Sequence, residues 1–167
     1  LETLLRGAQA EGRVLLGGEF DPERRRIAPS LIAVRDDHDP LMADELFGPL
    51  LPVLSIPNLD AAIAHIQKQD KPLALYLFGG DTNDQKQVLR QTSSGGVCFN
   101  DVAMQTVIPD LPFGGVGASG MGAHHGEAGF RTFSHERSVL RRPFWLDLPQ
   151  RYPPYTFSPD TFRRLLS

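Results

Sequence analysis

The sequence predicts an α/β fold built on a parallel βαβαβ core, and three observations carry this. Three apolar runs, at residues 50–56, 73–78 and 95–99, alternate with two helix-patterned stretches. The runs are apolar on both faces, the pattern of parallel strands covered by helices. Their links are short, and crossovers between such strands are right-handed. The chain has 167 residues, the size of one domain or a large piece of a bigger one. Chains of about 150 residues bury roughly 70% of their unfolded surface, so a real core is feasible.

Taken in order, residues 1–11 read as an amphipathic helix with Leu1, Leu4, Leu5 and Ala8 on one face, closed by Gly12. The opening has no initiator Met and reads as a helix already under way, so the sequence is expected to start inside a larger protein. Val14-Leu15-Leu16 and Leu31-Ile32-Ala33-Val34 read as strands. Between them, Asp21 to Arg26 reads as a turn with a charged, solvated tip. Arg35 to Pro40 is a polar loop whose acids lack the spacing of a calcium-binding loop. After the first core strand, Asn58 is a plausible N-cap for a helix carrying Leu59, Ala62, Ile63 and Ile66 to about Gln69. Lys71-Pro72 ends it. After the second strand, Asp81 or Thr82 caps a helix to about Gln91, with Val88 and Leu89 expected to face inward. Residues 126–134 read as a short helix and Ser138-Val139-Leu140 as a strand. The tail, with Pro143, Pro149, Pro153, Pro154 and Pro159 among Trp145, Tyr152, Tyr155 and Phe157, reads as an irregular arm packing its rings on a surface. Phe162, Leu165 and Leu166 are expected to close it with one helical turn.

Composition excludes several classes. Net charge is −3 with mixed signs, so there is no basic stripe for nucleic acid. No apolar run reaches the ~20 residues that span a bilayer, and no signal peptide is visible. Cys98 is the only cysteine. It excludes an intrachain disulfide and a cysteine-based zinc site, and it fits a reducing, cytoplasmic-type setting. Cys98 reads as a buried, structural residue between Val97 and Phe99, where an apolar setting keeps a thiol unreactive.

Glu45-Leu46-Phe47-Gly48-Pro49 is the stretch with the most chemistry. On an extended segment residues two apart face the same side, so Glu45 and Phe47 would address one ligand together. The carboxylate accepts hydrogen bonds from a pair of hydroxyls, and the ring lies against a flat group. Composition alone favours a surface acid before a strand-entry turn with a core Phe. Residues 114–122 hold five glycines, and Gly115 to Gly120 spells G-x-G-x-x-G. That pattern indicates a dinucleotide site only after a strand and before a helix. Pro109 and Pro112 stand where the strand should be, so a loop shaping the floor of a site is the better reading. His124, His125 and His135 lack zinc-binding spacing, and Ser119 lacks the nucleophile-elbow spacing.

Three segments in order then resemble the C-terminal portion of an aldehyde dehydrogenase: Glu45 to Pro49, Ser94 to Asp101, and Leu111 to Gly122. The continuation His125-Gly126 and Phe130-Arg131-Thr132-Phe133-Ser134-His135 resembles the class 3 branch, which includes coniferyl-aldehyde-type enzymes. The resemblance weakens after about Pro143. It implies an aldehyde dehydrogenase catalytic-domain portion over 1–143, with oligomerisation strands near 97–107 and 137–142, and a C-terminal arm over 144–167. It further implies oxidation of an aldehyde to a carboxylic acid with NAD or NADP, through thiolate attack and hydride transfer to the nicotinamide. On that resemblance Glu45 binds the nicotinamide-ribose hydroxyls, Phe47 packs beside the nicotinamide and Phe113 is an aromatic wall near the aldehyde. A homodimer or tetramer is implied; the histidine spacing and the mixed charge leave no metal and no nucleic acid expected. The family's nucleophilic cysteine precedes the Glu45 motif by more than the 44 residues present here. Cys98 does not match its motif, so the chain is expected to hold no catalytic residue and to be inactive alone. Two other readings stand beside this: a short, catalytically dead paralogue acting as an interaction or dimerisation module, and an independent nucleotide-binding domain.

Overall fold

In the computed structural model the chain opens with α1 (Glu2–Ala10), whose Leu5 and Ala8 are fully buried. Gly12, at φ +66°, turns the chain out of the helix as a residue without Cβ readily does. Next come β1 (Val14–Leu16), the small hairpin of β2 (Phe20–Asp21) and β3 (Arg26–Ile27), and β4 (Ser30–Val34). The hairpin tip is held by the Arg24 N–H donating to Asp21 Oδ1 at 3.0 Å. β5 (Leu50–Leu54) lies parallel to β4, with Ile32 opposite Pro52 and Val34 opposite Leu54. The sheet order is β1-β4-β5, β1 being antiparallel. Alternation along β4 and β5 sends Ser30, Ile32, Val34 and Leu50 to one side, where α1 covers them with Leu5 and Ala8. The structure describes residues 1–145, 147, 151–155 and 158–166, with the backbone alone at 161, 162, 165 and 166.

A second small layer follows. α2 (Leu59–Lys68) starts at Asn58, whose Oδ1 accepts the Ala61 N–H at 2.9 Å. β6 (Ala74–Leu77) leads to α3 (Thr82–Gln91) and then to β7 (Gly96–Phe99), parallel to β6. Asp81 is the cap of α3: its carboxylate accepts from Asn83 and Asp84, and Asp84 reciprocates to the Asp81 N–H at 3.0 Å. Ile63 from α2, Leu75 from β6 and Val88 from α3 form the core of this layer.

The βαβαβ order of elements is present, but its strands fall into two sheets. β5 pairs with β4 and β6 with β7, and no ladder joins β5 to β6 among the described residues. Each sheet has a helix layer on one face; Leu15, Leu16, Leu51 and Val53 on the first remain exposed. Leu89 is exposed, not inward: it follows Val88 by one position, about 100° around the helix, and only Val88 meets the core.

The structure divides into two compact units, Leu1–Thr132 and Phe133–Ser167. Within the first, β7 stops at Phe99, because Asn100 and Ala103 take left-handed φ values of +58° and +60°. The strand expected toward 107 is replaced by a single 3₁₀ turn, Met104–Thr106. The unit ends with α4 (Gly126–Thr132). In the second unit, Ser138 to Leu140 is not a strand. A strand needs a ladder partner, and none is present among the described residues; Val139 and Leu140 are exposed. Phe144, Trp145, Tyr152 and Tyr155 are exposed too. The arm ends in α5 (Pro159–Leu166), eight residues and so longer than the single turn expected. Pro149, Phe157 and the side chains of Phe162, Leu165 and Leu166 lie outside the described residues. No described helix is long and apolar enough to cross a membrane.

Candidate functional site

The segment ahead of β5 is built between two anchors. Asp39 Oδ1 accepts the Leu41 N–H at 3.0 Å and caps a 3₁₀ turn, Pro40–Met42. Leu41, 2% exposed, sits in the first core. Leu50 in β5 is buried in the same core. Residues 43–49 between them have no regular structure, with only Leu46 packed against the core. Glu45 is exposed. Phe47 is 91% exposed, which removes the reading of it as a core residue.

Phe47 also has φ +45°, a left-handed conformation uncommon for a bulky side chain. The alternation expected of an extended segment therefore fails here. Glu45 and Phe47 come together by another route: both line an open cleft of about 1010 Å³. Its lining also holds Lys71 and, from the glycine-rich loop, Ala118 and Ser119. The carboxylate and the ring thus share one open space with two residues of the glycine-rich loop.

The loop owes its glycines to close packing. A Cβ on Gly95, at the entry to β7, would overlap the Gly114 carbonyl, and a Cβ on Gly114 would overlap that of Gly122. The backbone stacks on itself and on the sheet in the way only glycine permits. Ser119 Oγ accepts the Val116 N–H at 2.9 Å, a local turn contact that gives the hydroxyl a structural partner.

Phe113 lies outside the lining of this cleft. Its backbone bridges to His124 through N–H···O contacts of 3.1 and 2.7 Å. Its ring stacks on His125, with centroids 6.1 Å apart and planes 26° from parallel. His125 Nδ1 is 3.1 Å from the Leu111 carbonyl. Cys98 is a free thiol, half-buried rather than fully buried, opposite Tyr76 in the β6–β7 ladder. No three His, Cys, Asp or Glu side chains among the described residues group as metal ligands.

Two features escape a reading of the sequence. Lys71 reads only as the residue that ends a helix before Pro72, yet it brings a cation to the cleft wall. Arg13 lies 26 residues from Asp39 and donates to it at 2.9 Å; no local pattern signals that pairing.

The cleft can accept hydrogen bonds from hydroxyls and hold a flat group, and no cysteine is among its lining residues. The chain is 48% identical over 164 residues to human aldehyde dehydrogenase family 3 member B1, covering 97% of this chain and 35% of that protein. It is 46% identical over 144 residues to the mouse dimeric NADP-preferring aldehyde dehydrogenase, covering 85% of this chain and 32% of that one. The substrate-bound AldH of Staphylococcus aureus superposes with a TM-score of 0.83 at 40% identity, over 99% of this chain and 36% of that chain. The chain therefore spans about a third of the length of the relatives it matches. The first of these is a family 3 member by its name, in keeping with the class 3 resemblance of the sequence. The model of the aldehyde dehydrogenase family matches residues 1–139: this chain belongs to the aldehyde dehydrogenase family.

Proposed function

We propose that the chain is the cofactor-positioning third of an NAD- or NADP-dependent aldehyde dehydrogenase, oxidising an aldehyde to a carboxylic acid. The observation that carries this is the cleft: an exposed carboxylate and a 91% exposed ring lining one open space with Lys71 and two residues of the glycine-rich loop. These residues fit the nicotinamide end of a dinucleotide. Glu45 makes no ion pair among the described residues, so both its oxygens are open to the ribose hydroxyls. The Phe47 ring presents a flat face to a flat heterocycle. Lys71 adds one positive charge to a lining that also holds Asp44 and Asp70. When bound, the dinucleotide supplies the acceptor for a hydride.

The chain's own residues bind and orient; none is placed as nucleophile or general base. Phe113, with its ring steadied by His125, serves as the aromatic wall on the aldehyde side. The thiolate that attacks the aldehyde comes from polypeptide beyond these 167 residues, as the coverage of relatives supports. The exposed apolar faces of both units are contact surfaces for that polypeptide and for a second subunit. The mouse relative is dimeric and NADP-preferring by name, which supports a homodimer or tetramer. A reducing, cytoplasmic-type compartment belongs to the same proposal.

The test compares two proteins. The purified 167-residue chain is expected to give no aldehyde-dependent reduction of NAD or NADP, and the complete product of its reading frame is expected to give it. Turnover by the short chain overturns the placement of the nucleophile. No turnover by a longer product favours the inactive interaction module instead.

A further inference from the structure

The segment that carries Glu45 and Phe47 has no regular structure of its own, so its position depends on its anchors. One of them is charged and nearly buried. Arg13 Nη1 donates to Asp39 Oδ2 at 2.9 Å and to the Ala33 carbonyl at 2.9 Å. Arg13 Nε donates to Glu11 at 2.6 Å. The Arg13 and Asp39 side chains are 12% and 9% exposed. The other Asp39 oxygen caps the turn that ends at Met42, and the Asp39 carbonyl accepts the Met42 N–H at 2.8 Å. Leu41, inside that turn, belongs both to the core and to the cleft lining.

Resting on the reading of the cleft as a nicotinamide site, we infer that the Arg13–Asp39 pair is a positioning device that sets the placement of Glu45 and Phe47 without touching the cofactor. The physical reason is geometric. Arg13 is tied to β4 twice, by its guanidinium and by its own carbonyl, which accepts the Ala33 N–H at 2.9 Å. A rigid sheet thereby fixes the carboxylate, the carboxylate fixes the turn, and the turn starts the cleft wall. A charge-assisted bond between two nearly buried groups is both short and directional. Glu45 and Phe47 sit only three and five residues past Met42, with Leu46 their one core contact. A turn that is free to rock would move both, and small misplacements of binding groups carry large costs.

The test uses the complete product of the reading frame, titrated with NADH and with NADPH. Asp39→Ser keeps a cap for the Leu41 N–H but is too short to hold Arg13; Arg13→Met keeps the apolar stem. Each is expected to weaken dinucleotide binding by about three- to tenfold, and the double variant by no more than the worse single, as for residues acting as one unit. The aldehyde KM at saturating cofactor is expected to stay unchanged, which a general loss of structure would not give. Arg13→Lys is expected to recover part of the affinity. Should Asp39→Ser fail to fold, Asp39→Asn is read instead, with a smaller loss in the same direction. Unfolding midpoints that fall while dinucleotide affinity holds would overturn the inference. Glu45→Gln separates the two layers. If it weakens binding and the Arg13 and Asp39 variants do not, the inference fails alone. If Glu45→Gln changes nothing, the reading of the cleft fails and takes the inference with it.

Discussion

Phe47→Ala separates a ligand-facing ring from a core ring, because the two have opposite signatures. Burying a whole phenylalanine is worth about 1.5–3 kcal/mol. The ring is 91% exposed, so roughly a tenth of that, about 0.2 kcal/mol, is at stake in the fold. The left-handed backbone at Phe47 is equally awkward for alanine, so it adds no difference. Against a flat ligand group the ring is worth about 0.5–1.5 kcal/mol, as in aromatic pairs. That corresponds to a factor of about 2 to 13 in the dissociation constant. The assay is a pair of measurements on the complete gene product: urea unfolding, and titration with NADH. The expected result is an unchanged unfolding midpoint with severalfold weaker binding. A stability loss above about 1 kcal/mol, or an unaltered dissociation constant, would refute the reasoning.

The remaining expectations concern the two faces of the first sheet. Ile32→Ala, at a fully buried position under α1, is expected to destabilise the chain by about 2–5 kcal/mol in urea unfolding. Leu51→Ala, on the opposite face and 59% exposed, is expected to stay within about 0.5 kcal/mol in the 167-residue chain. A large loss at Leu51 would show that something covers that face in solution.

Local signals made much of this fold readable. Asn58 and Asp81 announce their helices because a side-chain oxygen capping the first N–H groups is a contact within three residues. Val14 to Leu16 and Leu31 to Val34 announce strands through apolar patterning. What the sequence did not disclose is long-range. The apolar runs at 50–54 and 74–77 are written for cover on both faces, and nothing in them says that β5 and β6 belong to different sheets here. Ser138 to Leu140 has strand chemistry, but a strand exists only where another edge receives it. In the site, Glu45 and Phe47 were legible as a motif, while the backbone geometry between them was not. The extended backbone expected there is interrupted by a left-handed residue, and both side chains line one open cleft. The partnership of Arg13 with Asp39 spans 26 positions and leaves no trace in local spacing.

The most direct measurement is the dissociation constant of NADH and NADPH for the complete gene product with Glu45→Gln. The substitution keeps the shape of the side chain and removes its charge. Hydrogen bonds to a charged group are worth about 1.5–3 kcal/mol, against about 1 for neutral ones. Binding is therefore expected to weaken by about 2- to 30-fold, with the aldehyde KM at saturating cofactor unchanged. Unchanged affinity for both dinucleotides would contradict the placement of the nicotinamide in this cleft and return Glu45 to the role of a surface acid before a strand.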